Sequence, residues 1–215
     1  MGRVLVIGVD GFEPSLVDSW LGSLPCIRRL SRFFYSRLAS TVPPFTIPAW
    51  NSMFSGVNPG RHGLYGWFRV NFTSRSLRLE ISTSDRQRHP FIWDLLSKMG
   101  FRVVVINVPV VYPPYPVNGV IVSGLLTPPG ADYTYPRSLM GEIRRLLGHE
   151  YRIVSPGVSI GLQREILIDR VRVSRYLMRR ENWDLFIVVF YILDAVQHTS
   201  WHAKRLLRDF YILID

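Results

Sequence analysis

A chain of 215 residues with 47% hydrophobic and 13% aromatic content can bury one sizeable core, which excludes a disordered chain and argues for one or two domains. A single cysteine, Cys26, excludes an internal disulfide framework and fits a reducing compartment. The net charge of +10 is spread over arginine runs at helical spacing (IRRLSRF, EIRRLL, LMRRENW), the pattern of solvated helix faces rather than of a nucleic-acid surface, while an anionic substrate stays open.

Along the chain, apolar and helical patterns alternate. Arg3 to Val9 is apolar and β-branched, which predicts a buried central strand. Pro25 to Phe34 has helical spacing, and Ile47 to Phe54 predicts a second helix stopped by Gly56. His89 to Met99 is amphipathic and ends at Gly100, and FRVVVINV follows as a strand. Within the proline-rich stretch from Pro109 to Pro136, GVIVSG predicts a short strand. Tyr135 to Leu147 and Gln163 to Arg180 read as helices, DLFIVVFYIL as a second buried strand, and Thr199 to Ile214 as a final helix. The predicted fold is therefore α/β, a mostly parallel sheet with helices on both faces. The longest apolar runs fall well short of the roughly 20 residues that span a bilayer. No membrane helix is expected. The N-terminus lacks the pattern of a secretory signal, so the expected location is cytoplasmic.

In such sheets, ligands sit beyond the carboxyl ends of the strands. That rule selects Asp10, at the end of VLVIGVD, and Asp194, at the end of FIVVFYILD, with His198 four residues later. Taken alone, Asp10 before Gly11 is also a turn pattern, and Asp194 is also a helix N-cap. If a helical turn follows the strand, Asp194 and His198 converge on one cation, and oxygen plus imidazole suits zinc or manganese better than calcium. Thr46 lies between Pro44 and Pro48 where a helix begins. Its hydroxyl is either an ordinary N-cap or a group aimed at an anion at a helix N-terminus, and as a nucleophile it needs a base or metal beside it.

Four separated segments, VIGVDGFEP, TVPPFTIPAWNSMFSGVNPGRHGLYG, FIWDLLSKMGFRVVVINVPVVYPPYPVNGVIVSG and LDAVQHTSWH, together resemble the type I phosphodiesterase and nucleotide pyrophosphatase family of the alkaline phosphatase superfamily. The resemblance implies an alkaline-phosphatase-like fold and a hydrolase of phosphodiester or pyrophosphate bonds. It also implies two divalent metal ions, usually zinc, and a covalent phospho-threonine intermediate. Carried onto these residues, it makes Asp10 a ligand of one metal, Thr46 the nucleophile bound to that metal, and Asp194 and His198 ligands of the second. The substrate class implied is a small phosphodiester or nucleotide-like molecule. A sulfatase-like site is disfavoured, because it would want a modified cysteine or serine followed by proline and arginine, where this chain has TIPAW.

The sequence also departs from that pattern. The family takes its remaining ligands from a later SDHG-type segment and from a further histidine, whereas this chain reaches RDFYILID without either. The expectation is a single α/β domain over residues 1–215, the N-terminal part of a longer catalytic domain with the C-terminal part of the fold missing. The 215 residues alone are then expected to be inactive or nearly so. The alternative is a truncated, catalytically inactive domain acting in binding or assembly. Either way an exposed sheet edge is expected, covered by a second copy in a homo-oligomer or by the missing half. Where nucleotide-cleaving members carry an aromatic residue and an asparagine, this chain has Ile47 and Trp67. Phe45, Trp50, Tyr65 and Trp67 stack on a base or belong to the core, and Arg61 and His62 face phosphate or serve the NPGRHG turn.

Overall fold

The computed structural model describes residues 2–72, 76–153 and 159–215. The first half of the chain forms β1 (Val4–Val9), α1 (Pro14–Trp20), α2 (Pro25–Ser31), α3 (Thr46–Ser55), α4 (Pro59–His62), β2 (Phe68–Phe72), β3 (Leu77–Ile81) and α5 (Ile92–Lys98). The second half forms β4 (Val103–Ile106), β5 (Gly119–Val122), β6 (Thr134–Tyr135), α6 (Leu139–Leu147), α7 (Ile160–Arg180), β7 (Leu185–Phe190), α8 (Ile192–Ser200) and α9 (Lys204–Ile214).

The central sheet has the order β1-β7-β4-β5-β6. All neighbours are parallel except β6, which runs antiparallel to β5. Val4 and Val103 both lie opposite Leu185, so alternate residues of these strands share a face. On one face Val103, Val105, Ile121, Ile187 and Val189 join a core built with α1, α5, α8 and α9. On the other, Val104, Ile106, Val120, Val122, Phe186 and Val188 pack against Leu139, Ile143 and Leu147 of α6 and Val173 and Leu177 of α7. Burial on both sides is why β4 and β7 read as unbroken apolar runs, each such side chain contributing about 1.5–3 kcal/mol.

The expected buried central strand over Arg3 to Val9 is corrected. β1 forms, but among the described residues it is an edge strand, with Val4 and Ile7 55% and 57% exposed. Composition tells that a strand is apolar but not how many neighbours pair with it. Helix ends shift for local reasons. Pro25 to Phe34 shortens to α2, and the helix expected from His89 begins only after Phe91, whose amide donates to Asp94 Oδ2 at 2.8 Å. Tyr135 belongs to β6 rather than to the helix after it, and α7 starts three residues before Gln163, capped by the Ser159 hydroxyl. The single helix expected over Thr199 to Ile214 is broken at 201–203, which turns α9 so that Leu207, Phe210 and Tyr211 reach the core. Tertiary packing overrides a periodicity that runs through the break. The β2–β3 hairpin stands apart from the main sheet as a two-stranded pair. Among the described residues no helix is long and apolar enough to cross a membrane.

Candidate active site

The β1–β7 ladder ends at Asp10, whose amide donates to the Phe190 carbonyl at 2.8 Å. Gly11 follows with φ +72°, and a Cβ there would lie 2.7 Å from the Asp194 backbone. Only glycine lets the two strand ends close up so far. The turn is then held from below. Gln197 and the Tyr211 hydroxyl both donate to the Gly11 carbonyl, the latter at 3.2 Å, while Tyr211 accepts from the Glu13 amide at 3.0 Å.

This closure sets two carboxylates against each other. Burial first, and the facing Asp194 charge second, push Asp10 from 3.8 up to about 6; Thr46, Trp50 and the Gly11 amide oppose that rise. Asp194 is likewise raised by burial, with His198 pulling it back. Asp10 Oδ2 is buried and has no hydrogen-bond partner. An acceptor left in that condition is a place for a cation or a proton.

α8 starts two residues after β7 ends, so Asp194 lies in its first turn and His198 one turn further on. His198 Nε2 sits 3.4 Å from Asp194 Oδ2 on the exposed side of the helix. The condition for convergence, a helical turn after the strand, is met. Thr46 is the first residue of α3, and the N-cap is Phe45, with no side chain capping the helix. The ordinary N-cap reading is thereby set aside. The Thr46 hydroxyl instead faces Asp10.

Trp50, one turn along α3, also faces Asp10, and its ring lies across Gly8 of β1, where an added Cβ would be 2.5 Å away. Its ring also stacks on Phe54, so it belongs to the core side and not to a base-stacking surface. Glycine inside an apolar strand is the usual sign of such a close approach, and i+4 spacing from Thr46 was the other available signal. Gln197 and Tyr211 carried no comparable signal.

The remaining predicted residues separate. Phe45 is 57% exposed next to Thr46, so it can meet a ligand there. Arg61 and Trp67 are surface residues with no hydrogen bond, ion pair or ring contact to Asp10, Thr46, Asp194 or His198 among the described residues. His62 is fully buried, its Nδ1 accepting from the Leu64 amide at 3.1 Å and its Nε2 lying 3.0 Å from the Ser52 hydroxyl. It therefore serves the turn and ties α4 to α3 rather than facing phosphate.

The donor set is two carboxylates, a hydroxyl and an imidazole, arranged as the pairs Asp10–Thr46 and Asp194–His198. Among the described residues no three of His, Cys, Asp or Glu form a single cluster able to hold an ion. The unpartnered Asp10 oxygen and the opposed carboxylates nonetheless fit divalent metal, because a cation there relieves both burial and repulsion.

A family model for type I phosphodiesterase / nucleotide pyrophosphatase matches residues 4–215. The chain belongs to that family. No curated protein sequence matches it. Among solved structures, phosphonoacetate hydrolase from Sinorhizobium meliloti 1021 in complex with phosphonoacetate superposes with a TM-score of 0.67 at 19% identity, covering 98% of this chain and 52% of that one. The same enzyme in complex with phosphonoformate gives a TM-score of 0.67 at 20% identity with the same coverage. The chain thus spans about half the length of these structures, and it shares with them the alkaline-phosphatase-like fold. The four segments quoted above all lie within the matched residues, in chain order.

Proposed function

We propose that the protein is a metal-dependent hydrolase of phosphodiester or pyrophosphate bonds, acting through a phospho-threonine on Thr46. The observation that carries this reading is the uncapped start of α3, where the Thr46 hydroxyl faces Asp10 beside the Asp194–His198 pair. Divalent ions, zinc or manganese by donor type, would be held by Asp10 with Thr46 and by Asp194 with His198, and they would neutralise phosphoryl charge and activate the hydroxyl. Asp10 orients the Thr46 hydroxyl towards phosphorus. The free amides at the start of α3 favour the anionic phosphoryl group there. Thr46 Oγ1 forms the new P–O bond as the bond to the leaving oxygen breaks in line; water then cleaves the phospho-threonine and restores the hydroxyl. A small phosphodiester or nucleotide-like substrate suits the site, with Phe45 placed to contact the leaving group.

The test is hydrolysis of a bis-aryl phosphate diester by a complete form of the enzyme with added zinc or manganese, with phosphonoacetate included as a comparison substrate and the 215 residues alone, expected to be nearly inactive, run beside it. Thr46→Ala is expected to lower turnover by roughly a thousandfold or more while leaving metal content nearly intact, since carboxylates and imidazole supply most of the affinity. Thr46→Ser is expected to keep measurable activity. Parental turnover by Thr46→Ala would rule out the covalent route.

A further inference from the structure

Away from the Asp10–Asp194 pair, α7 buries a cation that has no counter-charge. Arg170 is 2% exposed, and no carboxylate lies within 4 Å of its guanidinium among the described residues. The nearest acids in sequence are engaged elsewhere: Asp169 with His149 at 3.4 Å and Arg152 at 3.9 Å, and Glu150 with Arg144 at 2.6 Å. Arg170 Nη2 donates to the Arg152 carbonyl at 2.6 Å, and the guanidinium lies 4.0 Å over the Tyr151 ring. Nη1 is buried without a partner. Such a group is among the costliest to leave unmet, and a π face compensates it only partly.

Other unmet donors gather around the same Tyr151 ring. The Tyr151 hydroxyl donates to Asn107 Oδ1 at 2.7 Å, which fixes the amide and leaves Asn107 Nδ2 fully buried with nothing to receive its protons. The Tyr191 hydroxyl is buried beside two donors, the Arg170 guanidinium and the Leu125 amide, and its own proton has no acceptor. Tyr133 stacks on Tyr151 at 5.1 Å, and its hydroxyl is also unpartnered. Asn107 follows β4 and Tyr191 follows β7, so the cluster sits at the carboxyl edge of the sheet, where α/β folds place ligands. The backbone is held to this arrangement. Asn107 has φ +59°, a region asparagine tolerates better than most residues, and Gly124 packs so tightly against it that an added Cβ would lie 2.7 Å from its Cα. Tyr133 and Tyr151 also line a cavity of about 650 Å³ under the loop that follows β5, with Arg144 and Glu150 on its wall and Arg170, Asn107 and Tyr191 behind it.

We propose that Arg170, Asn107, Tyr191 and Tyr133 form a binding site for a small oxyanion of the phosphate or carboxylate class, separate from the Asp10–Thr46 site. Four donors, one of them charged, match an acceptor-rich anion. Water alone could accept from them but would leave the guanidinium charge uncompensated.

The experiment uses the Thr46→Ala protein freed of metal with chelator, so its outcome does not depend on the hydrolase reading. Inorganic phosphate is titrated while thermal unfolding is followed, with sodium chloride at matched ionic strength as control. At ten times its Kd, phosphate is expected to raise Tm by about 3–6 °C. Arg170→Met is expected to abolish that rise. Asn107→Asp places a carboxylate beside the guanidinium, so it is expected to raise Tm without phosphate and to remove the response to it; this variant decides the matter if Arg170→Met does not fold. Butyl phosphate distinguishes a free anion from the anionic head of a larger molecule. A rise equal to that with phosphate supports the first, and a larger one supports the second with its body in the cavity. No rise in the parent with either compound, or a rise that both variants retain, overturns the site.

Discussion

Where β1 and β7 end, Asp10 and Asp194 bring two acids together, with an acceptor oxygen buried and unmet. Where β4 and β7 end, Arg170, Asn107 and Tyr191 bring together donors that are buried and unmet. The same sheet edge thus carries one place short of positive charge and one short of negative charge. The fold supplies the edge, and the side chains decide what each place along it will hold.

The contrast breaks most sharply at Asp10. Asp10→Asn keeps the shape of the side chain but removes the charge that opposes Asp194, and it is expected to weaken zinc binding by about 3 kcal/mol, roughly a hundredfold in Kd. Isothermal titration with zinc checks this. Arg170→Gln should leave zinc affinity unchanged, because it touches only the other cluster.

The next effect is on pH dependence. Asp10 is raised to about 6 in the metal-free fold from 3.8, so between those values the folded state binds more protons than the unfolded chain. Its contribution to stability is therefore complete below about pH 4 and is lost as pH rises through about 6. The expected loss is about 2–3 kcal/mol. Denaturant unfolding of metal-free protein from pH 4 to 7 should show this fall, and Asp10→Asn should flatten it. Added zinc should reverse the sign, since metal binds the deprotonated carboxylate.

These two places were not equally legible in the sequence. Asp10, Thr46, Asp194 and His198 could be read because their signals are local: an acid at the end of an apolar run, a hydroxyl where a helix starts, an acid and a histidine four apart. The parallel α/β sheet was legible for a similar reason, since strands buried on both faces are unbroken apolar runs. The edge position of β1 was not, because pairing is settled by partners distant in sequence; Val4 pairs with Leu185. The Arg170 cluster was invisible for the same reason. Tyr151 and Asn107 meet across 44 residues, and Arg170 lies inside the stretch from Gln163 to Arg180, whose spacing reads as a helix without showing what any one arginine faces. His62 was readable only as a choice between phosphate and turn, and the bonds of its two ring nitrogens decide for the turn.

Gly8 sharpens the contrast at the level of packing. An alanine Cβ there would meet the Trp50 ring at 2.5 Å and Val189 at 3.2 Å. Either the indole or β1 must shift, which is expected to cost about 1–3 kcal/mol. Because Trp50 faces Asp10, Gly8→Ala should also weaken zinc binding, whereas a change at the exposed Ile7 next to it should leave zinc affinity alone. Measuring unfolding and zinc titration on both variants separates damage to the site from general loosening of the strand.

The smallest expected effect isolates the Trp50 indole. Phenylalanine at this position keeps an aromatic ring over Gly8 and against Phe54, so most of the packing survives. It removes the polar N–H, one of three groups that hold Asp10 down against burial and the Asp194 charge. Losing one such donor to a carboxylate is worth about 1 kcal/mol, which corresponds to roughly 0.7 of a pH unit upward for Asp10. The fall in metal-free stability should then extend to correspondingly higher pH, with the overall fold intact by circular dichroism. Trp50→Leu should give the same shift with a further loss of stability from packing. If Trp50→Phe leaves the pH profile in place while Gly8→Ala moves it, the indole acts on Asp10 through the position of β1 and not through its N–H.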